Sequence, residues 1–406
     1  MKLRPILFAA AASACCLANA AGKLTVAVSN TGELARPAET IVIAWSSVNL
    51  HLPGALLQQI VVKDAAGHVL PYQVTNVAPL VKDPRGEGVA YGELFFQHDF
   101  AAGEKSATFT IEKTTTVSPP FPIKAFARYV PERLDDFAWE NDKVAHRTYG
   151  SALAAPAAPG SGKEVLVSSG VDIWFKRVPY PIVDRWYNKG HDHYHHDEGE
   201  GIDMYNVSGS RGNGGTGVWD GAALHVGVNY RTWKVLANGP VRAIFELGYD
   251  SWDAAGVKVS EVKRYTVDAG HYFDQVESTF SFTGPQQLTA AVGINKTPSD
   301  KGQTPTITVD QAAGDGALIQ WVEQRSKGAF GTAIIVPTAG QPAYAEDARN
   351  ALMLAPVSAG QPLRYYVGAA WSGSNEITSR QDWQRYVAQQ SARVRAPVSV
   401  SLSATP

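Results

Sequence analysis

The chain has 406 residues, with 36 Lys and Arg against 38 Asp and Glu and a formal net charge of −2 at pH 7. That length exceeds one ordinary domain, so two β-rich units or one large one are expected, and the near-neutral charge argues against a nucleic-acid surface or a polybasic membrane patch. Ten Trp and sixteen Tyr beside 37 Gly and 24 Pro suit many strands joined by turns, and disfavour a helical bundle or a disordered chain.

Residues 1–20 read as a signal peptide: Lys2 and Arg4 are basic, Ile6 to Leu17 is apolar, and Ala18-Asn19-Ala20 is a small-x-small cleavage site. The apolar run is too short to span a bilayer, so no membrane anchor is expected after cleavage. Cys15 and Cys16 both lie inside it, so the mature chain is expected to have no disulfide, thiolate metal site or Cys nucleophile. The expected compartment is the bacterial periplasm or the cell exterior.

Period-2 patterns follow. Leu24–Val28 alternates, Thr40 to Trp45 is a β-branched run, and Thr108–Ile111 alternates again. Asp64-Ala65-Ala66-Gly67, Asp220-Gly221 and Asp253-Ala254-Ala255-Gly256 each separate two strand-like runs and predict hairpins in which Gly supplies a positive φ. Val117 to Ile123, with three prolines, breaks any sheet and divides the mature chain into an N-terminal β-sandwich unit, 21–118, and a larger β-sandwich domain, 119–406, that carries the site. Ala152 to Gly162 reads as an exposed loop. One helix is predicted near the C-terminus, capped by Thr378 with Gln381 three residues on and with Trp383, Tyr386, Val387 and Gln390 at helical spacing; a strand, Val398–Leu402, follows. The predicted class is all-β and β-sandwich-rich.

The densest polar segment is Tyr180 to Arg211, with Tyr187 and then His191-Asp192-His193-Tyr194-His195-His196-Asp197-Glu198-Gly199-Glu200. In an extended strand His191, His193 and His195 share one face. Three readings stay open: a metal-free acid–base or binding site, a divalent-metal site built from His191, His193, His195 and Asp197, or an exposed His-rich loop. A second cluster runs from Glu132 through Trp139, Glu140, Asn141 and Asp142 to Arg147 and Tyr149. Trp139 with carboxylates and an amide suits a sugar subsite, or else a capped turn before a strand. Among the remaining cations Arg211 is favoured because Ser208-Gly209-Ser210-Arg211-Gly212 adjoins the histidines. Gly212 to Gly217 matches G-x-G-x-x-G, but no helix follows it, so a dinucleotide site is rejected and the glycines are expected to let backbone approach backbone or ligand.

At these residues the chain resembles the bacterial family known as domain of unknown function 4861. The resemblance is carried by Asp135 to Asp142, Arg147-Thr148-Tyr149-Gly150, Tyr180 to Tyr187, Tyr194-His195 with Gly199-Glu200-Gly201, Ser210 to Gly215, and Trp233 to Pro240, over nearly all of the mature chain. It implies secreted companions of pectin- and uronide-degrading enzymes; the expected architecture is a sugar-mutarotase-like supersandwich. Asn213 stands where the family motif has Cys, so a thiol is not required there.

The expectation is therefore an enzyme acting on uronic-acid-containing oligosaccharides, by elimination or by glycoside hydrolysis. Elimination takes His195 or His193 as base, Tyr194 as acid, and Arg211 with Asn141 to neutralise the enolate. Hydrolysis takes Glu140 and Glu200 as the carboxylate pair. Trp139, Asn141, Asp142, Arg147, Tyr187 and Asn213 are the expected substrate contacts. The competing class is a non-catalytic carbohydrate-binding protein, in which Trp139, Tyr187 and the histidines only hold a glycan. An acidic oligosaccharide is the expected partner in either case.

Overall fold

A computed structural model describes residues 22–75, 92–298, 304–337 and 342–405; the signal-peptide reading falls outside these residues. The fold is β-sandwich-rich, as predicted. In the first unit, strands Lys23–Ser29, Ile60–Lys63, Val69–Leu70 and Ser106–Lys113 form one sheet, which faces a second sheet of Arg36–Ala44, Tyr72–Thr75 and Glu93–Phe100. The alternation in Lys23–Ser29 buries Leu24, Val26 and Val28 against Ile41, Phe96 and Phe109. The chain's last strand, Ser399–Thr405, runs antiparallel along Lys23–Ser29, so the two ends of the described chain close this unit together.

The larger core lies between an eight-stranded antiparallel sheet, which includes Arg242–Ala254, Val257–Asp268, Phe273–Ser281 and Pro362–Trp371, and two five-stranded sheets. One of these is built on Asn213–Trp219 and Leu288–Asn295; the other carries the candidate site. The predicted hairpins are present, and Ala255 and Gly256, both at positive φ, turn Arg242–Ala254 into Val257–Asp268. In the G-x-G-x-x-G segment, Gly212 has φ +57 and a Cβ there would collide with the Val171 carbonyl; the glycine serves backbone approach within the sheet. The C-terminal helix, Arg380–Arg395, starts one residue later than predicted. Ser379 is its cap and Asp382 completes a capping box, while Trp383, Val387 and Gln390 are buried as the spacing required.

The site-bearing sheet has the order Gly201–Asp203, Val171–Lys176, Val144–Thr148, Asp136–Glu140, Phe126–Val130. Period-2 alternation sends Phe137 and Trp139 into the main core, and sets Asp136, Ala138 and Glu140 on the opposite face. The register puts Arg147 beside both Ala138 and Asp172, and Trp174 beside Asp203, on that same opposite face. A short helix, Val183–Lys189, and the helical turn His191–Tyr194 cover it, stacking Trp186, Tyr187 and Tyr194 around Trp174 at centroid distances of 5.1, 4.9 and 4.8 Å. This sheet is therefore buried on both faces, and any charge in it needs a partner.

Candidate functional site

Arg147 is the hub. Its side chain is only 7% exposed; Nε donates to Asp172 at 2.8 Å, Nη2 to Asp203 at 2.9 Å and Nη1 to the Tyr194 hydroxyl at 3.2 Å, with Asp136 3.6 Å from Nη1. Burial works against the guanidinium charge, but Asp172 and Asp203 outweigh it and hold Arg147 protonated well above the ordinary arginine range. Tyr149 donates to Asp172 at 3.0 Å, Trp174 to Asp203 at 3.0 Å and Tyr187 to Asp136 at 3.1 Å. Burial pushes the Asp136 carboxyl up to about 6, against the pull of Arg147 and Arg133, and its Oδ1 is a buried acceptor with no partner among the described residues. Of these groups only Arg147, Tyr187 and Tyr194 were sequence candidates. Asp172 and Asp203 were missed, although an acid inside the apolar run Val171-Asp-Ile-Trp-Phe175 is itself the signature of a buried ion network.

The His-rich segment is a helical turn and not an extended strand, so the one face that His191, His193 and His195 would share on a strand does not form. Gly190, at φ +99, ends one helix and the chain turns again at once. His191 and His195 therefore come together at a centroid distance of 4.8 Å, while His193 binds Glu198 at 2.8 Å and Asp197 binds Arg177 at 2.6 Å. The proposed metal ligands are scattered, and among the described residues no three His, Cys, Asp or Glu side chains are grouped to hold a metal. His195 lies at the edge of the Arg147 cluster, with its side chain 33% exposed and its ring 4.8 Å from that of Tyr194. Its Nδ1 meets the Asp203 carbonyl at 3.1 Å. A carbonyl can only accept, so Nδ1 carries the proton and Nε2 keeps its lone pair. Burial, helped by the Arg147 charge, holds the imidazole below its ordinary pKa and so neutral at pH 7.

Comparison with known proteins decides the family. The sequence model of the family described as Domain of unknown function (DUF4861) matches residues 28–400. The chain belongs to that family. A relative from Formosa agariphila, named "Uncharacterized protein P7", is 30% identical over 388 residues, covering 93% of each chain. An alpha-mannosidase from Enterococcus faecalis V583 overlays with a TM-score of 0.48 at 9% identity, covering 94% of this chain and 46% of that one. A glycosyl hydrolase family 38 protein from Enterococcus faecalis gives the same score and identity, with 94% and 48% covered. This chain thus spans about half the length of those two structures, and scores of that size carry no argument about activity. Within the DUF4861 chain, four of the segments that carry the resemblance meet on one sheet face: those of Asp136, Arg147, Tyr187 and Tyr194-His195.

Other sequence candidates lie elsewhere or are already engaged. Trp139 is fully buried; it donates to Asp274 at 2.7 Å and stacks on His146, so it offers no face to a sugar. Asn141 is a turn residue that donates to the Asp268 and His271 carbonyls at 2.7 Å, and Asp142 accepts from the Gly270 amide in a separate cleft of about 530 Å³. Arg211 is buried against Ser169 and Thr216, with burial bringing its pKa down to about 10, and Asn213 donates to the Gly368 carbonyl. Neither Arg211 nor Asn141 contacts Tyr194 or His195, so these two do not neutralise an enolate at that corner.

The hydrolytic pair is equally committed. Glu200 takes Arg185, Tyr180, Lys189 and Trp186 as partners. Glu140 accepts from Lys176 at 2.6 Å and from the Ile182 and Val183 amides, acting as the cap that helix Val183–Lys189 lacks in its own sequence. Both partners of the Glu140–Lys176 pair are 1% exposed. Lys176→Met is accordingly expected to cost about 3–5 kcal/mol of stability in urea unfolding, because it leaves the Glu140 charge buried without a counter-ion.

Proposed function

We propose that this DUF4861 protein is a periplasmic or secreted carbohydrate-active enzyme that cleaves uronic-acid-containing oligosaccharides by elimination, with His195 as base and Tyr194 as acid. The observation that carries the reading is His195 itself: a neutral, partly exposed imidazole with its tautomer set by the Asp203 carbonyl and its Nε2 lone pair unengaged among the described residues, beside the ring of Tyr194, whose hydroxyl accepts from Arg147. His195 Nε2 takes the proton on the carbon next to the carboxylate. The electron pair forms the new C=C as the bond to the glycosidic oxygen breaks, and that oxygen takes the proton of Tyr194. The hydrogen bond from Arg147 Nη1 supports the charge left on the phenolic oxygen. Prior commitment of Glu140 and Glu200 is what favours elimination over hydrolysis by that pair.

The test is the pH profile of turnover. A base must be neutral to act, and a lowered pKa keeps it neutral to lower pH, so the acidic limb of kcat/KM is expected below the ordinary histidine value of 6.5. A limb above 7, or one that survives His195→Gln, contradicts the assignment.

A further inference from the structure

The outer face of the eight-stranded sheet holds a second polar groove, of about 290 Å³, that shares no lining residue with the Arg147 cluster. It runs between that face, helix Arg380–Arg395 and strand Arg36–Ala44, and is just smaller than the ~300–1,000 Å³ of drug-sized ligand sites, a size that suits one sugar unit. Of its three guanidinium groups, Arg393 is engaged through every nitrogen with Glu39, the Pro37 carbonyl and His271, and the other two are held with a nitrogen to spare. Arg242 spends Nε and Nη2 on Asp268 at 2.5 and 2.7 Å, and Arg364 spends Nε and Nη2 on Glu277 at 3.0 and 2.7 Å, so each keeps Nη1 unengaged. Gln275 accepts from the Tyr366 hydroxyl at 3.1 Å and keeps its NH₂. Gln390, only 8% exposed, leaves Oε1 buried with no partner among the described residues. That oxygen is closed to solvent, so Gln390 belongs to the wall of the groove and the polar binding surface is that of Arg242, Arg364 and Gln275.

We propose that this groove binds an acidic sugar unit, with its carboxylate on Nη1 of Arg242 and Arg364, its hydroxyls on Gln275, and its ring against Tyr366. The inference rests on the uronide reading above and gives the chain a second hold on the same class of glycan, away from the reacting bond. Asp268 and Glu39, which also line the groove, accept from sugar hydroxyls and repel a phosphate dianion, so a sugar acid is favoured over a bare anion. His271 adds no charge: its Nε2 meets the Ala38 carbonyl, its Nδ1 meets Arg393, and burial brings its pKa down to about 4.

The experiment is calorimetric titration of a galacturonate trisaccharide into full-length mature His195→Ala protein, in which turnover is blocked. Binding is expected, weakened about tenfold or more by adding Arg364→Ala and severalfold by adding Gln275→Ala, with inorganic phosphate failing to compete. Arg364 is exposed and Gln275 half-buried, so both variants are expected to fold and each is the control for the other. Unchanged affinity in both variants, displacement by phosphate at equal concentration, or no binding at all overturns the groove assignment. The catalytic reading fails separately, through the absence of product from the wild-type protein, and groove binding that persists in that case leaves the present inference standing.

Discussion

Arg147→Ala is expected to lower stability by about 3–5 kcal/mol, a large share of the roughly 5–15 kcal/mol that holds a folded protein together. Removing this one side chain strips the counter-charge from Asp172 and Asp203 at once, and takes from Asp136 the nearest cation opposing its burial. None of the three carboxylates can turn to solvent, because Trp174, Tyr187 and Tyr194 close the face above them. Arg147→Lys keeps the charge but loses the fork that reaches Asp172 through Nε and Asp203 through Nη2, so an intermediate loss is expected. Urea unfolding of the three proteins side by side checks this; a loss below about 1 kcal/mol for Arg147→Ala would show the cluster to be solvated.

His195→Ala is expected to lower turnover about 10²–10⁴-fold with stability nearly unchanged. The contrast with Arg147 is the point. His195 is a third exposed and its one fixed hydrogen bond goes to a backbone carbonyl, whereas Arg147 is the cation on which the fold of the sheet rests. Tyr194→Phe is expected to cost a comparable factor while retaining the ring that packs on Trp174. Equal loss of stability and activity in His195→Ala would move that residue from the chemistry to the scaffold.

Much of this architecture was legible in the sequence, because its signals are local. Ala255-Gly256 turns where Gly can take a positive φ, and Trp383, Val387 and Gln390 fall on one helical stripe whatever lies beneath them. What escaped was set by tertiary cover. Asp136-Phe-Ala-Trp-Glu140 has acids at both ends like a strand with one wet face, yet all five residues are buried because a helix closes that face; Trp139 points into the main core and Glu140 caps the helix. An extended strand would have set three histidines on one face, but Gly190 and the packing of Tyr194 on Trp174 wind them into a turn, so that His191 and His195 reach the Tyr194 ring while His193 turns to Glu198. Arg211 is near the histidines in sequence and sits on a different strand edge in space, with Ser169 and Asn350 as neighbours.

The measurement that bears most directly on the central claim follows the ultraviolet absorbance of a conjugated uronate double bond while the mature protein meets a panel of saturated uronate oligosaccharides. Elimination at the Tyr194–His195 corner predicts a steady rise with at least one substrate, abolished by His195→Ala under conditions where the variant remains folded. No rise with any saturated substrate, or a rise that His195→Ala leaves intact, contradicts the account.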